Sequence, residues 1–76
     1  ALLNHRRQRE TQIVEFLGRG PARIPAMVAA NYPGLNPNLV GAAGLSVFAH
    51  IEDLIGKGAI RTDGDATLDS LYELAR

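Results

Sequence analysis

The residue types that support catalysis are few in this chain of 76 residues, and they lie far apart. Its two histidines, His5 and His50, form neither an i, i+4 pair nor a His-x-His unit, so their spacing is not that of metal ligands. Its serines, Ser46 and Ser70, lie outside any Gly-x-Ser-x-Gly sequence. Cysteine is absent, which excludes disulfides and thiolate ligands. We therefore predict no catalytic residue and no metal ligand in this chain, and we interpret His50 as a structural residue.

One group of side chains has the chemistry to recognise an anion. His5, Arg6, Arg7 and Arg9 crowd the predicted start of the first helix. Cations at this end oppose the positive end of the helix dipole, at a cost of about 0.3–1 kcal/mol each. We therefore predict that these residues contact either a carboxylate-rich partner domain or a phosphate-bearing substrate. The alternative is a solvated basic patch.

The acidic residues and the third predicted helix disfavour duplex DNA as a ligand. Asp63, Asp65 and Asp69 occupy a predicted turn region where a DNA-binding loop would need Arg or Lys to meet phosphates. Residues 39–55 contain no Lys or Arg, whereas a helix that reads base edges uses Arg, Lys, Asn or Gln. The acids also lack the twelve-residue spacing of a calcium loop that ends in Glu. We interpret them as turn-forming and solubilising residues.

The overall composition favours a small globular domain. Hydrophobic residues make up 46% of the chain, and the formal net charge is zero. Residues 1–24 contain five arginines and two glutamates, a net charge of +3, whereas residues 25–76 contain three basic and six acidic residues, a net charge of −3. We find neither a leader sequence nor a run of about 18 apolar residues. These features predict a cytoplasmic domain without membrane contact.

The first half of the sequence predicts two helices joined by a short extended segment. Asn4 is the expected N-cap of a helix over residues 4–18, whose apolar stripe includes Ile13, Phe16 and Leu17. Glycines and a proline end this helix, and residues 22–24 are predicted to be a short strand. Pro25 then favours a second helix over residues 26–31, with Met27 and Val28 directed inward.

The second half predicts a long helix followed by a β-hairpin. Asn36 and Pro37 are a typical N-cap and first helical residue, and the helix is expected to end near Gly56. Two glycines inside it, Gly41 and Gly44, cost about 1 kcal/mol each relative to Ala, and we attribute them to a close helix–helix approach. Strands over residues 59–62 and 71–74 follow, with a turn at residues 63–65.

The predicted fold class is α+β: mainly α with a small β-hairpin. The order helix, short strand, helix, helix, strand, turn, strand is that of a winged helix. The residues predicted to form its structural core are Ile13, Leu17, Val28, Val47, Ile51, Leu54 and Ile55. Val40 is a further candidate for the core at the start of the third helix.

Residues 5–60 resemble the C-terminal winged-helix domain of one branch of metallo-β-lactamase-fold hydrolases, the β-lactamase-like protein 2 type. The resemblance rests on His5-Arg6, Arg9-Glu10 and Ile13; on Gly20-Pro21 and Ile24-Pro25; on Tyr32-Pro33-Gly34-Leu35; and on Ala49-His50-Ile51, Leu54 and Gly58. The chain departs from the family pattern at Arg23, where Thr or Ser is frequent, and at Ile51, where Leu is usual.

The resemblance implies a non-catalytic accessory domain of a larger enzyme. Residues 1–4 would be the junction from a missing N-terminal domain, and residues 5–76 the winged-helix domain. The catalytic domain of the parent chain would contain the family's His-x-His-x-Asp-His motif and bind two metal ions, expected to be zinc, that activate water. No cofactor is expected in this chain. It would pack on that domain and shape substrate access, with either a phosphodiester or a thioester as substrate.

Two alternatives remain open from the sequence alone. A free-standing winged-helix DNA-binding regulator would need basic residues along its third helix and wing. A winged-helix protein-interaction module of another assembly would not, so zero net charge is no obstacle to it.

Overall fold

The chain folds into one layer of helices against a small sheet. The computed structural model describes the backbone of residues 2–75 and the side chains of residues 7–75. Within these residues the elements are α1 (Leu2–Leu17), β1 (Ala22–Arg23), α2 (Ile24–Asn31), a 3-10 turn (Pro37–Leu39), α3 (Val40–Gly56), β2 (Ile60–Thr62) and β3 (Leu71–Leu74). The predicted α+β class is confirmed.

The three described strands form one antiparallel sheet in the order β1-β3-β2. The last strand of the sequence is therefore the central strand, where Tyr72 pairs with Ala22 on one side and Thr62 on the other. Its aromatic ring is fully buried. The hydroxyl of Tyr72 donates to the carbonyl oxygen of Thr67 at 2.5 Å, which connects the β2–β3 loop to the core.

The core lies between the three helices and the inner face of the sheet. Its buried residues are Ile13, Leu17, Ile24, Met27, Val28, Ala43, Val47, Ile51, Leu54, Ile60 and Tyr72. Six of the seven residues expected there from the sequence are buried, and the seventh, Ile55, is partly buried against them. The sheet contributes Ile60 and Tyr72, which the helical periodicity did not predict.

Two helix starts differ from the prediction. α1 begins at Leu2, so Asn4 lies within its first turn and not ahead of the helix. Asn36 does cap the third helical stretch, because its Oδ1 accepts from the amide of Asn38 at 2.9 Å, but the first turn is a 3-10 turn and α3 starts at Val40. Val40 is 45% exposed, so its assignment to the core was wrong. It is the first residue of α3, where it borders an open groove.

The end of α3 is a Schellman motif. Gly58 adopts φ +79°, its amide donates to Ile55, and the amide of Ala59 donates to Leu54 at 2.9 Å. Such a positive φ favours glycine, which explains why a glycine follows the helix here. The reversal leads directly into β2.

The glycines inside α3 do not produce the predicted close helix packing. A Cβ atom built at Gly41 would have no neighbouring heavy atom within 4 Å, so this part of the prediction was wrong. At Gly44 the nearest atom is Cγ2 of Ile24 at 3.7 Å, an ordinary van der Waals contact. Gly41 therefore lies on an open surface.

The helical stretch Pro37–Gly56 is long and apolar enough, by length and composition, to cross a membrane. A core helix of a soluble protein meets the same criteria, and one face of α3 does pack against α1 and α2. The finding therefore assigns no location, and the absence of membrane contact stays a prediction.

Candidate interaction surface

The predicted basic cluster divides into residues with different surroundings. The side chains of His5 and Arg6 lie outside the described residues. Arg7 is exposed on α1, whereas Arg9 is partly buried. Contact of these four residues with a partner or a substrate stays a prediction, but Arg9 also has contacts within the domain.

Arg9 connects α1 to the end of α2. Its guanidinium lies 4.3 Å from the centre of the Tyr32 ring, within the range of a cation–π contact. The same group donates to the carbonyl oxygen of Asn31 at 3.4 Å and to Oε1 of Gln12 at 3.4 Å. Because Asn31 is the last residue of α2, the cation lies at the negative end of that helix dipole. Because α1 begins at Leu2, Arg9 lies two turns into its own helix, where the expected cost from the helix dipole does not apply, and its position is favourable for α2.

A buried carboxylate joins α1 to α3. Glu10 is buried, and its Oε1 accepts from Nζ of Lys57 at 3.1 Å. Its Oε2 lies 3.9 Å from Nδ1 of His50, in the middle of α3. Lys57 follows the last residue of α3 and is itself 63% exposed. The Glu10 cluster (Glu10, His50 and Lys57) therefore connects two helices that are distant in sequence.

Among the described residues, no group of three or more His, Asp or Glu side chains is arranged to hold a metal ion. A Glu–His contact is one part of many catalytic sites, but a nucleophile must also lie within hydrogen-bond reach. Ser46 lies one helical turn before His50 and is exposed, whereas His50 is 15% exposed beside Glu10. We interpret the Glu10 cluster as a structural contact between α1 and α3. The expectation of no catalytic or metal residues stays a prediction.

Charged side chains of the β-hairpin form ion pairs with one another. Nη2 of Arg61 lies 2.6 Å from Oδ1 of Asp63, and its Nη1 lies 3.2 Å from Oε2 of Glu73. The hydrogen bond and the charge of Asp63, followed by the charge of Glu73, raise the pKa of Arg61. The cation on β2 is thus neutralised by acids of its own hairpin, and this lowers its value as a phosphate contact.

One exposed face of α3 was missed by the sequence analysis. We define the outer face of α3 as Ala42, Leu45, Ser46 and Ala49, all of which are exposed. Leu45 is 58% exposed and is the most exposed large hydrophobic residue described. These residues follow the spacing i, i+3, i+4, i+7, which places them on one side of a helix.

Two further apolar residues are exposed at the start of the helix. Leu39 is 52% exposed, and Val40, on the same side of α3 as Val47, borders a groove of about 290 Å³. The groove is lined by Pro25, Val28, Ala29, Tyr32, Gly34, Leu35 and Val40. The sequence contained a signal for the outer face. Residues 42, 45, 46 and 49 form an uncharged stripe that ends at Glu52 and Asp53 and is offset from the core stripe of Val47, Ile51 and Leu54.

Comparison with known proteins identifies no relative. No family model matches the chain, no curated protein matches it, and no solved structure matches it. The family resemblance therefore rests on the motif residues alone.

Proposed function

We propose that this chain is a non-catalytic, winged-helix accessory domain of a metallo-β-lactamase-fold hydrolase. In this proposal it packs on the catalytic domain of the same parent chain and shapes substrate access to the metal site. The observation that supports it most is that the exposed residues of α3 from Val40 to Ala49 are uncharged and that α3 contains no Lys or Arg, because such a surface suits contact with protein.

The order of elements supports the winged-helix part of the proposal. Three helices precede a hairpin, and a short strand between α1 and α2 joins the sheet in the order β1-β3-β2. Under this assignment the wing is the β2–β3 loop, and α3 is the helix that would read DNA in a DNA-binding member. Here α3 contains no Lys or Arg, and the wing contains Asp63, Asp65 and Asp69. Duplex DNA is accordingly a disfavoured ligand.

The contacts among motif residues support the family part. The residues that carry the resemblance include Arg9-Glu10 on α1, Tyr32 directly after α2, and His50 on α3. In the fold, Arg9 lies over the ring of Tyr32, and Glu10 lies beside His50. Residues separated by 23 and 40 positions in sequence thus form two contacting pairs. This is the arrangement expected if the motif maintains a particular packing of the helices and takes no part in catalysis.

The remainder of the proposal concerns the parent protein. Its catalytic domain would hold two metal ions, expected to be zinc, and would hydrolyse a phosphodiester or a thioester. The exposed Arg7, together with His5 and Arg6, would contact that domain or the phosphate of the substrate. The parent would be cytoplasmic.

A protein-interaction module of a different assembly is the second candidate. The exposed apolar residues of α3 favour it as much as they favour the accessory domain, because both need a protein surface as partner. The two candidates differ in the polypeptide to which the domain belongs.

The intact mass of the native polypeptide, purified from its source cells, separates the two candidates. A mass several times that of this 8.2 kDa chain, with zinc bound to the purified protein, is the result expected for the accessory domain. A native chain of about this mass, or a longer one that binds no metal, would contradict the hydrolase proposal. The interaction module would then be favoured.

A further inference from the structure

We draw no further inference here: the strongest candidate, the open apolar groove beside Tyr32, Leu35 and Val40 between α2 and the start of α3, carries none because nothing in the structure shows what covers it.

Discussion

Both sides of α3 contain apolar residues, but these residues have different surroundings on the two sides. On the inner side Val47, Ile51 and Leu54 are buried against α1, α2 and the sheet. On the outer side Leu45 and its small neighbours face solvent. A helix that is hydrophobic all round is usually buried on all sides. The described residues of this domain therefore cover one side of α3 and leave the other side exposed, where a partner could bind.

Replacement of one leucine by alanine should have very different effects on the free energy of unfolding on the two sides of α3. Leu54→Ala on the inner side should lower the free energy of unfolding by about 2–5 kcal/mol, because it leaves a cavity in a small core. Leu45→Ala on the outer side should change it by about 0.5 kcal/mol or less. Urea unfolding followed by circular dichroism, at a concentration where the chain is monomeric, measures both. Equal losses would show that the two sides do not differ.

Loss of the Glu10 carboxylate should have the next largest effect. Glu10→Gln removes a buried charge that accepts from Lys57 and lies beside His50, so we expect a loss of about 1–2 kcal/mol. Glu15→Gln is the matched control, since Glu15 is exposed on the same helix, and its change should stay within about 0.5 kcal/mol. Thermal unfolding of both variants tests this, and a loss shared by the two would assign no special role to the Glu10 cluster.

Tyr72, a buried residue of β3, titrates at high pH. Burial raises the pKa of Tyr72 above its ordinary value of 10.0, so the fold favours the neutral phenol. The stability from this residue is therefore fully present below about pH 10 and is lost as the pH rises through the higher pKa of the folded state.

Tyr72→Phe separates this titration from the hydrogen bond to Thr67. Near pH 7 the substitution should cost about 0.5–1.5 kcal/mol, because that bond is lost. Above about pH 10 the variant should lose less stability than the original chain as the pH rises. Urea unfolding across this pH range measures both effects. Parallel pH profiles would show that Tyr72 makes no contribution to alkaline destabilisation.

The smallest expected effect distinguishes two arginines of the basic cluster. Arg9→Ala should cost about 0.5–1 kcal/mol, because it removes the contact with the Tyr32 ring and the donor to the end of α2. Arg7→Ala should leave stability unchanged, since Arg7 is exposed. In the parent protein, Arg7→Glu should weaken docking or substrate use without loss of stability. Unchanged docking and activity would remove Arg7 from the interface.

The sequence predicted most of the secondary structure because its signals are local. The α2 and hairpin boundaries agree with the structure to within about two residues, and the apolar stripe of α3 gave its inner side. Asn36 and Pro37 predicted a helix start, but their capping signal is the same for a 3-10 turn as for an α-helix.

Contacts between distant residues are the part that periodicity did not predict. Lys57 reaches Glu10 across 47 positions, and nothing in the spacing of either residue indicates the other. The dipole argument for Arg9 considered only its own helix, whereas its interaction is with the end of α2. Gly41 was attributed to close packing because an internal glycine destabilises a helix, yet its surroundings are open within this chain.

The contact made by the outer face of α3 can be tested with ¹⁵N–¹H spectra of the 76-residue chain, recorded with and without the catalytic domain of the parent protein. If the inner side of α3 maintains the fold and the outer side contacts the catalytic domain of the parent protein, shifts on addition of that domain should cluster at residues 39–52. The amides of the hairpin should stay constant. Spectra that do not change on addition of the domain, or shifts centred on the hairpin, would contradict the assignment of the outer face as an interaction surface.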